Sequence, residues 1–174
     1  MISNWPLLSI IIFLPLTGAV FLLCMSNSNK DLDVNIFHRN IKFVTLWTSL
    51  ITLLGSIIIL LNFDSSFSGY QFIEEFKWVK QLNIYYFVGV DGLSLSLILL
   101  TTFLFPICIL FSWKSIKNKI REYMILFLIL ETLIIGIFSS LDLILFYIFV
   151  ESIFIPIFLI VGIWRGNKSL KALY

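Results

Sequence analysis

The chain has 174 residues, of which 60% are hydrophobic and 13% are charged, with a formal net charge of +2 at pH 7. Its mean hydropathy is +1.04, and a soluble domain of this size could not cover so much apolar surface with so few charges. The charges lie between apolar runs rather than on one basic face, which argues against nucleic-acid binding. The composition therefore predicts an all-α integral membrane protein, a single membrane domain over residues 1–174 in contact with the lipid bilayer.

Five apolar segments are each long enough to cross about 30 Å of hydrocarbon as a helix with a rise of 1.5 Å per residue. They cover about residues 5–25, 41–61, 93–113, 123–141 and 143–163. Continuous apolar runs argue against a membrane β-barrel, whose strands alternate apolar and polar residues. No Lys or Arg precedes the first run, so we expect a retained span rather than a cleaved signal peptide.

The connection between the second and third spans, residues 62–90, mixes aromatic and charged residues. Alternation around Tyr70-Gln71-Phe72 is typical of a β-hairpin, whereas Trp78, Tyr85 and Tyr86 would also suit a segment that lies in the membrane interface. We favour a short hairpin on the outer surface.

Two short turns carry acidic residues. In Gly89-Val90-Asp91-Gly92, we interpret Asp91 and Gly92 as the turn into the third helix, where a negative charge is favoured. The alternative for Asp91 is an outward-facing proton exit. The turn Ser139-Ser140-Leu141-Asp142 predicts a tight antiparallel pair of helices, with a serine as N-cap and Asp142 in the first turn.

The basic residues predict the orientation of the chain. Ten of the twelve Lys and Arg residues lie in segments 26–42, 114–122 and 165–174, whereas Lys77 and Lys80 lie in the long connection. The positive-inside rule then places the N-terminus outside and the C-terminus in the cytoplasm or matrix. An odd number of spans requires the same alternation.

Two acidic residues, Glu131 and Glu151, lie well inside apolar segments. Counted from Tyr123 and Ile163 at the inner face, Glu131 lies about 12 Å deep and Glu151 about 18 Å deep, an offset of one helical turn. A charge that faces lipid costs about 2.5–3.5 kcal/mol, so each group must be neutral, paired or hydrated. Every Lys and Arg lies in a loop or tail and cannot pair with them. We interpret Glu151 as a proton-translocating group, and for Glu131 that role and a permanently protonated packing role are equally open.

Pro156 follows Ser152, the neighbour of Glu151, by four residues. Because proline has no backbone N–H, the Ser152 carbonyl loses its helical partner, and the distorted helix gives water a place to enter beside the acid.

No metal or cofactor site is expected. Cys24 and Cys108 lack metal-binding spacing and are interpreted as buried free thiols. His38 is interpreted as a solvated loop residue without neighbouring ligands.

Three stretches carry a resemblance to a known family. Val88–Ser94 (VGVDGLS), Cys108–Trp113 (CILFSW) and Leu145–Pro156 (LFYIFVESIFIP) resemble subunit 4 of NADH dehydrogenase, which is chain M of bacterial respiratory complex I and one of its antiporter-like subunits. The resemblance runs over the whole chain. The GVDGLS stretch is shared in looser form with cation/proton antiporter subunits.

The resemblance implies a fold of roughly fourteen helices, of which this chain is expected to be the N-terminal portion. It implies that Glu151 matches the essential fifth-helix glutamate, which pairs with a seventh-helix lysine in a proton half-channel, and that Glu131 matches a fourth-helix acid of mitochondrial-type members. NADH, FMN, iron–sulfur clusters and quinone would bind other subunits, so no cofactor is expected on this chain. The implied partners are other membrane-arm subunits of complex I and the missing C-terminal part of the subunit.

The implied location is the mitochondrial inner membrane or the bacterial inner membrane. Two alternatives remain open at the level of sequence: a non-catalytic remnant or membrane scaffold, and a subunit of a multisubunit sodium/proton antiporter.

Overall fold

The computed structural model describes residues 6–25, 34–67, 69–79 and 84–169. Within these ranges the chain forms five α-helices and two β-strands, in the order α1 (Leu7–Cys24), α2 (Val34–Leu61), β1 (Gln71–Val79), β2 (Ile84–Val90), α3 (Gly92–Ser115), α4 (Ile120–Ser139) and α5 (Leu143–Ser169). All five helices are long and apolar enough to cross a membrane, which confirms the predicted all-α membrane architecture. β1 and β2 pair antiparallel, so the connection between α2 and α3 forms the predicted hairpin.

Two helices extend six or seven residues beyond their predicted bounds. α2 begins at Val34 rather than near residue 41, and α5 ends at Ser169 rather than near residue 163. The prediction counted Lys42 with the basic loop residues although its span began at residue 41. Lys42 is helical and only 9% exposed, and its amine donates to the carbonyl of Trp113 at 2.5 Å. A lysine can bury its aliphatic stem and still place its amine at a polar group near a helix end. The expectation that every Lys and Arg lies in a loop or tail is therefore wrong.

Helices α1 to α4 form a four-helix bundle. α1 and α3 each pack against both α2 and α4, and α2 also contacts α4 across the bundle. α5 packs on the outer side of α4 and against β2. Among the described residues, α4 is therefore the central helix and α5 lies at the periphery.

Small residues bring neighbouring helices close together, as is common in membrane bundles. A Cβ atom at Gly18 of α1 would lie 2.6 Å from the Thr48 methyl group of α2. A Cβ atom at Gly136 of α4 would lie 2.7 Å from the Phe149 ring of α5. Both helix pairs can therefore pack this closely only because glycine has no side chain at the contact.

The β-hairpin is fastened to one end of the bundle, which we call the hairpin end. The carboxylate of Glu74 on β1 accepts hydrogen bonds from the backbone N–H groups of Leu8 (2.8 Å) and Ser9 (3.1 Å) and from the Ser9 hydroxyl. Pro6, the N-cap residue of α1, supplies no side-chain cap, so Glu74 satisfies helix N–H groups that would otherwise lack a partner. The Tyr86 hydroxyl of β2 lies 2.9 Å from the same serine hydroxyl.

The turn between α4 and α5 also meets the hairpin, because the Leu141 N–H donates to the Phe87 carbonyl at 2.9 Å. The predicted serine N-cap of α5 is wrong. Asp142 immediately precedes the helix and accepts from the Phe146 N–H through its carbonyl (2.9 Å) and from the Leu145 N–H through its carboxylate (3.4 Å). The Ser139 hydroxyl instead donates to a carbonyl at the end of α4.

At the opposite end of the bundle, which we call the basic end, side chains donate hydrogen bonds to backbone carbonyls of other segments. Arg121 donates to Met25 at 2.9 Å, and the Trp164 indole donates to Asn118 at 3.0 Å. The basic residues whose side chains are described toward this end are Arg39, Lys42, Lys114, Lys117, Lys119 and Arg121. The predicted first residue of the first span, Trp5, and the basic residues Lys30, Lys80 and Lys171 lie outside the described residues. The side of the membrane that each end faces stays a prediction.

Candidate functional site

The two carboxylates that the sequence places inside apolar helices lie at the same distance from one end of the bundle. Glu131 precedes the end of α4 at Ser139 by eight residues, and Glu151 follows the start of α5 at Leu143 by eight residues. Both Cα atoms are therefore about 12 Å from the hairpin end. The offset of one helical turn was wrong because the predicted ends of the two spans were displaced from the real ones.

Glu131 is completely buried inside the four-helix bundle, with an exposed fraction of 0%. Its Oε1 atom lies 2.9 Å from the Thr52 hydroxyl of α2. Its Oε2 atom is also buried and has no hydrogen-bond partner among the described residues. A buried polar atom without a partner costs about 1–3 kcal/mol and needs a physical explanation.

The Thr52 hydroxyl has three acceptors within reach but only one proton. It lies 3.0 Å from the Thr48 carbonyl, 2.8 Å from the Ser49 carbonyl and 2.9 Å from Glu131 Oε1. When the hydroxyl donates to its own helix, the contact with Glu131 requires a proton on the carboxyl. The Thr52 hydroxyl therefore either donates to Glu131 Oε1 or accepts from a protonated carboxyl, and no cation among the described residues hydrogen-bonds to Glu131.

Thr52 belongs to a row of buried polar side chains along α2. Lys42, Thr45, Ser49, Thr52 and Ser56 follow each other at intervals of three and four residues, which places them on one helix face. The row extends about 21 Å along the helix, and near the hairpin end Ser56 lies 2.8 Å from the Thr102 hydroxyl of α3. This row was not predicted from the sequence, although polar residues at intervals of three and four within an apolar segment indicate a polar helix face.

Glu151 lies in the opposite environment, on the exposed face of α5. Phe149 and Pro156 on the other face are buried, whereas Tyr147, Phe154 and Phe158 around Glu151 are each more than 60% exposed. The structure thus does not bring the two carboxylates together. Glu131 faces the interior of the bundle, and Glu151 faces outward among apolar side chains.

The predicted helix distortion at Pro156 has a limited structural effect. α5 continues as one helix through Pro156, which is buried. The Ser152 hydroxyl donates to the Ile148 carbonyl one turn earlier, at 2.7 Å. The Ser152 carbonyl has no helical N–H to accept from, because residue 156 is proline.

Asp91 caps α3, as its interpretation as a turn residue predicted. Its carboxylate accepts from the Ser94 N–H at 2.7 Å, while the Ser94 hydroxyl accepts from the Asp91 N–H at 2.9 Å, which is a reciprocal capping box. Hydrogen bonds from the Ser94 hydroxyl and N–H lower the pKa of Asp91. A side chain at Gly92 would meet no atom within 4 Å, so the packing there does not require a glycine.

No group of three or more His, Cys, Asp or Glu side chains lies close enough to hold a metal ion in the described part of the chain. Cys24 and Cys108 are exposed on the outer faces of α1 and α3, so the expectation of buried thiols is wrong. His38 lies in the first turns of α2 rather than in a loop, next to Phe37.

The comparisons with known proteins point in one direction. No family model matches the chain. The chain is 43% identical over 168 residues to "NADH-ubiquinone oxidoreductase chain 4" of Marchantia polymorpha, a match that covers 96% of this chain and 32% of the relative. It is 39% identical over 167 residues to "NADH-quinone oxidoreductase subunit M" of Rickettsia conorii, which covers 96% of this chain and 33% of the relative. The Rhodobacter capsulatus protein of the same name is 43% identical over 168 residues, which covers 97% of this chain and 31% of the relative.

The chain spans about a third of the length of the curated relatives it matches. Mitochondrial-type and bacterial relatives show similar sequence identities to this chain. They agree with the resemblance seen in the residues that lead into α3 at Asp91 and in the stretch around Glu151. The chain is therefore a homologue, over about a third of their length, of the NADH-quinone oxidoreductase subunit M and NADH-ubiquinone oxidoreductase chain 4 proteins.

Proposed function

We propose that the chain is the N-terminal portion of a proton-translocating antiporter-like subunit in the membrane arm of NADH:quinone oxidoreductase, and that Glu151 belongs to a proton half-channel. The names of the relatives support the assignment to this enzyme. The single observation that supports the half-channel is the position of Glu151, about 12 Å from the hairpin end on an otherwise apolar helix face.

An acid in this position requires a partner from outside the described helices. Left against lipid as an anion, it would cost about 2.5–3.5 kcal/mol, and more by other estimates. A further segment that brings a lysine or water to this face of α5 would remove that cost. A proton could then pass between Glu151 and its partner when the distance between them changes. The partners we propose are the rest of the subunit and the other membrane-arm subunits, in a mitochondrial or bacterial inner membrane.

Glu131 would act as an internal proton-carrying group in support of Glu151. In this proposal the carboxyl donates to Thr52, and a buried water molecule satisfies Oε2. The hydroxyl row of α2 offers further acceptors on the same helix face, so water could extend from Glu131 along the inside of the bundle. Redox chemistry would take place on other subunits, and this chain would bind no cofactor of its own.

The test is a pair of isosteric substitutions made within the assembled enzyme. Glu151→Gln removes the titratable proton and keeps the size of the side chain, so NADH-driven proton translocation in membrane vesicles should be abolished or severely reduced. Glu131→Gln should reduce it less, because an amide can still bond to Thr52. Glu122→Gln, at an exposed acid in the first turn of α4, is the isosteric control away from both carboxylates.

Normal proton translocation by an assembled Glu151→Gln enzyme would refute the half-channel. If the chain cannot be found in any NADH-oxidising assembly, its place in the enzyme is refuted and a membrane scaffold remains. Reconstituted alone in liposomes, the 174-residue chain should give no proton flux above the lipid background, because one carboxylate on each of two helix faces makes no continuous path.

A further inference from the structure

A concave and strongly basic surface lies at the basic end of the bundle. We define the basic cleft by Arg39 and Lys42 of α2, Lys114 at the end of α3 and Lys117 in the following turn. The rest of its lining is His38, Trp113, Ile116 and Ile120. Its volume is about 450 Å³. Three segments of the chain meet there, so the charges converge on one space instead of spreading along one helix.

The charge of the basic cleft is not balanced within its walls. Four basic side chains line it, and among the described residues no Asp or Glu does. Like charges that converge in this way repel one another. Near a membrane surface, each Lys or Arg contributes about 1 kcal/mol of binding free energy toward an anionic headgroup. An anion bound between them would remove the repulsion.

Lys42 and Trp113 form a rigid floor for this space. The Lys42 amine donates to the Trp113 carbonyl at 2.5 Å and lies 5.7 Å from the centre of the indole ring. Phe43 packs edge-on against the same ring at 5.3 Å. These contacts hold Lys42 in place, and Arg39, Lys114 and Lys117 line the same cleft around it.

The surroundings of the basic cleft favour a lipid over a free anion. The apolar spans of α2, α3 and α4 begin or end at Ile36, Ser115 and Ile120, so the cleft lies level with the ends of the spans, where headgroups would be. Trp47 on α2 and Phe111 on α3 are 62% and 88% exposed on the outer faces that lead away from it. Acyl chains could lie on these faces while the phosphate occupies the cleft.

We propose that the basic cleft binds the phosphate headgroup of an anionic phospholipid, whose acyl chains lie on the outer faces of α2 and α3. This inference does not depend on proton translocation by Glu151.

Native mass spectrometry of the purified full chain, titrated with phosphatidylglycerol, tests this proposal. The double variant Arg39→Gln with Lys117→Gln should bind phosphatidylglycerol roughly 25-fold more weakly, or about fivefold for each charge removed. The control Lys77→Gln with Lys119→Gln removes the same charge outside the cleft and should bind like the unchanged chain. Circular dichroism establishes that both variants keep their helices, and Lys114→Gln replaces the double variant if it does not fold.

Two further measurements separate the possible ligands. Zwitterionic phosphatidylcholine should bind without a difference between the cleft and control variants. Raising the salt concentration should weaken only the binding of phosphatidylglycerol, because added ions screen the charges. Equal losses in the cleft and control variants would overturn the proposal in favour of nonspecific attraction. Displacement of the lipid by an equal concentration of inorganic phosphate would overturn it in favour of a free-anion site.

Discussion

Substitution of Glu74 tests whether the β-hairpin holds the N-terminus of α1. Glu74→Ala removes the acceptor for the Leu8 and Ser9 N–H groups and for the Ser9 hydroxyl. Loss of an N-terminal cap costs about 1 kcal/mol, loss of an anion at the helix N-terminus about 0.3–1 kcal/mol, and loss of the hydroxyl contact about 0.5–1.5 kcal/mol. We therefore expect the free energy of unfolding to fall by about 2–3.5 kcal/mol.

Two other substitutions separate the causes. Glu74→Gln keeps an acceptor oxygen but loses the charge, so it should cost about 0.3–1 kcal/mol through the helix dipole alone. Glu75→Ala, at the next position on β1, changes an exposed side chain and should stay within about 0.5 kcal/mol of the unchanged chain.

The assay is reversible unfolding of the purified chain in mixed micelles, with the mole fraction of dodecyl sulfate raised in steps and helix content followed by circular dichroism. If Glu74→Ala unfolded at the same dodecyl sulfate content as Glu75→Ala, the contact between β1 and α1 would not stabilise the fold, and the reasoning would be refuted.

Two further predictions use the same assay. Gly136→Ala should lower the free energy of unfolding by about 1–3 kcal/mol, because its Cβ would lie 2.7 Å from the Phe149 ring. Gly162→Ala, whose Cβ would have no atom within 4 Å, should leave the stability unchanged. Equal effects of the two substitutions would exclude close packing of α4 on α5 as the cause of the loss of stability. Hydrogen bonds from Ser94 lower the pKa of Asp91, so its contribution to stability is complete above the unfolded value of about 3.9 and is lost as the pH falls through the folded value. The stability difference between the unchanged chain and Asp91→Ala should therefore shrink between pH 6 and pH 3, and a constant difference would contradict an ionised cap.

Much of the architecture could be predicted before the structure. Length and apolarity determine that segments of about 20 residues cross the membrane, because the backbone must satisfy its own hydrogen bonds in lipid. The role of Asp91 at the start of α3 could also be predicted, because its capping partner is only three positions away. The start of α2 and the N-cap of α5 were predicted wrongly, since a lysine inside a helix can donate to a backbone carbonyl and several polar residues of a turn can serve as the cap.

The sequence by itself determined that two carboxylates, Glu131 and Glu151, lie within membrane-spanning helices. Only the tertiary structure decided that Glu131 faces Thr52 inside the bundle and that Glu151 faces outward. The physical reason is that lipid and the protein interior are both apolar, so a membrane helix can be hydrophobic on every face and its pattern does not identify the buried one. The cap of α1 by Glu74 likewise joins residues 66 positions apart, and such a contact exists only after the helices have packed.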